Sequence, residues 1–85
     1  MDQFEGFVDI TLSRAVDVGG AQLSVLRMRE PTVDDQLVSD ASKGSDGQKE
    51  VALFANLCGI APEDIRKLSL RDYKKIQAAF VNFLD

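Results

Sequence analysis

Hydrophobic and polar positions first fall into order at Val8, where Val8, Ile10 and Leu12 alternate with Asp9, Thr11 and Ser13. A period of two predicts a strand with one buried face. Gly19-Gly20 supplies the positive φ angles of a tight hairpin turn, and a return strand is expected from about Ala21 to Arg29. Its phase is imperfect, because Leu23 and Val25 share one face while Leu26 and Met28 occupy the other. Either a bulge re-aims the strand or both faces are covered. The expected hairpin spans residues 8–29, after a frayed start over 1–7. Two strands alone are marginal in water, so the hairpin must lean on helices.

Glu30-Pro31 ends the strand, since proline restricts the residue before it and donates nothing to a ladder. Thr32 then reads as an N-cap, with Asp34 and Asp35 at the positive end of the helix dipole. Val33, Leu37 and Ala41, with Val38 at the border, form a narrow apolar stripe, which predicts a surface helix over 32–42. Ser42 to Gly47 contains no apolar residue and two glycines, the composition of a mobile loop. A second helix over 48–58 is apolar around more than half its circumference, through Val51, Leu53, Phe54, Ala55, Leu57 and Cys58. It is therefore expected at the centre of the domain, with Gly59 as its left-handed cap.

Pro62 opens a short helix over 62–68. Ser69 caps the last helix, 70–84, with Asp72 three positions on in a variant capping box. Along that helix Leu70, Tyr73, Ile76, Gln77, Phe80, Val81, Phe83 and Leu84 fall within roughly 160° at 100° per residue. This stripe either packs entirely into the core or leaves its end, around Ile76, Phe80, Phe83 and Leu84, exposed for a partner. The fold class is α+β: an N-terminal β-hairpin followed by a small bundle of three to four α-helices, one domain over 1–85.

Composition narrows the chemistry. Across 85 residues with a net charge of -4 there is no histidine and one cysteine. One chain therefore builds neither a disulfide nor a Cys/His zinc site, and Cys58 reads as a packed thiol. No EF-hand spacing links Asp40, Asp46 and Glu50, and no glycine run matches a phosphate-binding loop. The reading is a non-enzyme without cofactor or metal. Residues 1–47 carry nine acidic and four basic side chains, and residues 48–85 five and six. Such a balance disfavours nucleic acid, leaving Arg66, Lys67, Arg71, Lys74 and Lys75 as the one basic cluster. No stretch reaches the ~20 apolar residues of a membrane span, and Met1 to Glu5 lacks the pattern of a signal peptide. A cytoplasmic protein is expected.

The order of motifs is more specific than any one of them. Arg29-Glu30-Pro31-Thr32 follows the hairpin; a buried helix closes on Leu57-Cys58-Gly59-Ile60; Pro62-Glu63-Asp64-Ile65 and Leu68-Ser69-Leu70-Arg71-Asp72-Tyr73 come after it. From about Ile10 to Phe83 this series resembles the phage tail assembly chaperone family of Mu-like and P2-like contractile-tailed phages and prophages. The resemblance implies an assembly factor that binds the tape measure protein, keeps it soluble and helps recruit tail tube subunits. It also implies action in the host bacterial cytoplasm and absence from the mature virion. Two alternatives stand beside it: a small phage-derived helix-turn-helix regulator using the basic cluster, and a self-associating homo-oligomerisation module.

Overall fold

The computed structural model describes residues 6–85. It is α+β, with an antiparallel hairpin of β1 (Phe7–Val18) and β2 (Ala21–Arg29) followed by α1 (Val33–Ala41), α2 (Asp46–Cys58), α3 (Pro62–Arg66) and α4 (Leu70–Phe83). Of the expected frayed start, residues 1–5 lie outside the described residues. Gly6 and Phe7 are instead tied in. Glu30 N–H donates to the Gly6 carbonyl at 2.6 Å, and the Arg27 guanidinium lies 4.1 Å above the Phe7 ring. Gly19 and Gly20, at φ 59° and 90°, make the expected two-residue turn.

The irregular phase of β2 has its cause in β1. Pairing runs from Phe7↔Arg29 to Thr11↔Val25 and resumes at Val16↔Leu23, so residues 12–15 of β1 stand opposite Ser24 alone. This wide bulge lets Ile10 before it, Leu12 at its start and Val16 after it all enter the core, at 5, 6 and 6% exposure. Both faces of β2 then contribute: Leu26 and Met28 are buried, and Leu23 packs partly against the same cluster.

Each helix starts where local capping chemistry allows. Ser45 and Gln48 form a capping box, so α2 begins at Asp46 rather than at Gln48, and the polar loop before it shortens accordingly. Gly59, at φ 71°, ends α2 as a left-handed cap. α3 stops at Arg66, short of the expected Leu68, because Ser69 must be extended to cap α4. Phe54 and Leu57 of α2, Ile65 of α3 and Ile76 of α4 close over the hairpin as one buried cluster. No residue of α1 belongs to it.

Candidate docking site

α1 is a surface helix, as its narrow stripe predicts, but the stripe points away from the protein. Val33 is 78%, Leu37 60% and Val38 59% exposed, whereas Asp35 is the buried residue of the helix. The reason is a set of polar contacts that outweighs the weak apolar pattern. Arg29 grips the Asp35 carboxylate with both terminal nitrogens, at 2.7 and 2.8 Å. Thr32 donates to it from its backbone N–H at 2.8 Å and its hydroxyl at 3.0 Å, and Asn56 of α2 donates from its side chain at 3.2 Å. These contacts, the guanidinium first, hold the carboxyl well below the usual range. Arg29 and Thr32 of the first motif thus set the rotation of α1, and with it which face the helix shows to solvent. Pro31 lies half-buried at the foot of the helix, and Glu30 is exposed apart from the backbone bond to Gly6.

The second motif has a corresponding task. Ser69 caps α4 by accepting from Asp72 N–H at 3.2 Å, but the Asp72 carboxylate does not complete a capping box. It reaches the bulge of β1 instead, accepting from Ser13 N–H at 2.8 Å and from the Ser13 hydroxyl at 3.1 Å. Asp72 is fully buried, and Lys75 approaches it at 3.5 Å. The Ser13 backbone donor is the leading cause that keeps this carboxyl low. Tyr73 packs against Phe54 in a tilted arrangement, ring centroids 5.7 Å apart, and donates its hydroxyl to Glu50 at 2.6 Å. Gln77, the polar member of the α4 stripe, donates to the same Glu50 oxygen at 2.9 Å. Leu68 packs partly against the core.

The apolar end of α4 is not one surface. Ile76 is fully buried, so this candidate contact residue is corrected to a core position. About that inward direction Phe80 and Leu84 turn to one side, by roughly 40° and 80°, and Phe83 and Ala79 to the other, by roughly 20° and 60°. Phe80 is half-buried, its ring 5.4 Å from Phe54, while Leu84 is 64% exposed. Together with Val33, Gln36 and Leu53 they line a groove of about 250 Å³ between α1 and α4. Phe83, also half-buried, lines a separate groove of about 580 Å³ between α4 and β1. The α4 side of the first groove was legible in the amphipathic pattern. Its α1 wall was not, although the Arg29, Thr32 and Asp35 spacing that rotates the helix was present.

Charges around the first groove are of one sign on α1, which bears exposed Asp34 and Asp40 and no basic residue. Within the basic cluster, Lys67 donates to the Asp17 carbonyl at 2.9 Å and Lys75 to the Thr11 carbonyl at 2.8 Å. Two of the cations a helix-turn-helix would present are thus turned onto the protein's own backbone, and α3 is only five residues long. Burial pushes the Cys58 thiol up to about 11, against any role as a nucleophile near neutral pH. Among the described residues no helix is long and apolar enough to cross a membrane.

Comparison with known proteins agrees with the motif order. The family model described as phage tail assembly chaperone proteins, E, or 41 or 14, matches residues 9–85. No curated protein and no solved structure matches the chain.

Proposed function

The chain belongs to the phage tail assembly chaperone family, and from that premise we propose that it holds the tape measure protein in the groove between α1 and α4. In this reading it keeps that client soluble and helps recruit tail tube subunits to it. It acts without catalysis in the host bacterial cytoplasm and leaves before the virion is complete. The observation that supports the reading is the outward apolar face of α1, whose first residue, Val33, lines the groove with Phe80 and Leu84. An amphipathic helix of the client would cover this face by its own apolar stripe, and Asp34 and Asp40 favour a stripe flanked by lysine or arginine. Several copies along one long client would gain avidity through effective concentration. The net negative charge of the chain keeps free copies apart in solution.

Co-expression of this chain with the tape measure protein of the same phage tests the reading. The client should stay soluble and copurify with the wild-type chain, and should precipitate with a Val33→Asp/Leu37→Asp variant that remains folded. Failure of the wild-type chain to copurify with the tape measure protein would remove the proposal. Unchanged binding by the folded double variant would remove the apolar face of α1 from it.

A further inference from the structure

The geometry points to a second docking site, distinct from the α1 groove: the edge of β1 beside α4, which no other described strand pairs and which we propose takes one extended segment of a partner protein as a third strand. The preferred segment alternates apolar residues and carries a carboxylate where it reaches Lys75.

The backbone direction carries the argument. Glu30 N–H donates to the carbonyl of Gly6 just before β1, so with the register Phe7↔Arg29 the antiparallel ladder turns Val8 and Ile10 toward Met28 and Leu26, and the residues between them face outward. Phe7, Asp9 and Thr11 therefore direct their N–H and C=O groups away from β2. The Thr11 carbonyl confirms the direction independently, since Lys75 Nζ donates to it from α4 at 2.8 Å. No described residue meets the outward groups of Phe7 and Asp9. An open strand edge of this kind is a template for another strand.

What distinguishes this edge is the wall beside it. Ala79, Asn82 and Phe83 of α4 run along Val8 to Thr11 and enclose the 580 Å³ groove. Alternate side chains of an added strand would lean on Phe83 and Ala79, as the period of two requires, and Asn82 offers a polar contact midway. The bulge at residues 12–15 ends the regular edge at Thr11. There Lys75 has one donor left beyond Thr11 and Asp72, which is the reason for a carboxylate at that end. A second copy of this chain fits less well. Its own α4 stands beside its β1 and would meet this α4 wall.

Selection from a displayed library of random octapeptides on the full chain supplies the probe. The expected result is enrichment of peptides with alternating apolar residues and an acidic residue at one end. Binding should shift the amide resonances of residues 7–11 and 79–83 and slow hydrogen exchange at the Phe7, Asp9 and Thr11 amides. Asp9→Pro, which removes an outward donor that the ladder does not use, should weaken binding about tenfold. Asp9→Asn keeps that donor and should bind as the wild type. Ala79→Gln fills the wall without altering the strand and should also block binding, while Val33→Asp/Leu37→Asp should leave it intact and thereby separates this site from the α1 groove. Peptides without a common pattern, shifts confined to α1 and Leu84, or equal affinity of folded Asp9→Pro and wild type would each overturn the proposal. So would protection of the same amides by self-association in the absence of peptide.

Discussion

Replacing Asp35 by alanine should release α1 while leaving the rest of the fold in place. α1 is nine residues long, below the ~12–15 residues at which an isolated helix becomes even marginally stable. It places no side chain in the apolar core, so the polar cluster around Asp35 holds it. The Arg29 pair is bidentate, but the arginine side chain is 43% exposed, and solvent screening limits the pair to about 1 kcal/mol. Loss of the reciprocal cap with Thr32 adds about 1 kcal/mol. The bonds from the Thr32 hydroxyl and Asn56 add about 1 kcal/mol together. A total near 3 kcal/mol is roughly a hundredfold shift toward the open helix. Amide hydrogen exchange followed residue by residue is the assay. Protection over 33–41 should fall about a hundredfold, while the slow amides around Ile10, Phe54 and Ile76 change little. Binding of the tape measure protein should fall with α1. Protection over 33–41 within about threefold of wild type, or an equal loss throughout the core, would refute the reasoning.

Asp72→Ala leaves the Ser13 backbone donor of the bulge without its acceptor and should cost about 3 kcal/mol. Thermal melting should then fall by roughly 12–24 °C, whereas Ser13→Ala, which loses only the hydroxyl contact, should cost about 1 kcal/mol; equal losses would contradict the assignment of the backbone bond. Both Asp35 and Asp72 have carboxyls held below the ordinary value of 3.8. Their contribution is therefore complete above about pH 5 and is lost as pH falls through 3.8 toward their depressed values, so urea midpoints should drop between about pH 4 and pH 2. A flat midpoint over that interval would count against it. Phe80→Asp, at a ring packed against Phe54 in a tilted pair, should destabilise the fold in urea melts by several kcal/mol. Leu84→Asp should change stability by less than about 0.5 kcal/mol and weaken client binding instead.

Much of the molecule was determined by sequence alone, because the forces involved act between near neighbours. Gly19-Gly20 makes its turn and Gly59 its cap through their own backbone freedom. Thr32, Ser45 and Ser69 open their helices through side chains that reach only three residues along. The family's motif order is legible for the same reason, since most of its members are caps, turns and helix starts. Tertiary structure decided what those elements face. The bulge in β1 is completed by Asp72, 59 residues away, and no local pattern announces that partner. Asp35 could equally have ended its reach at Thr32; only folding brought Arg29 and Asn56 to it and turned Val33 and Leu37 outward. Ile76, one more apolar position in the helical stripe, became the line along which α4 meets the core, so Phe80 and Phe83 lie on opposite sides of a buried ridge. Periodicity tells that a face is apolar. Whether that face is covered, divided or left open depends on contacts between residues far apart in the chain.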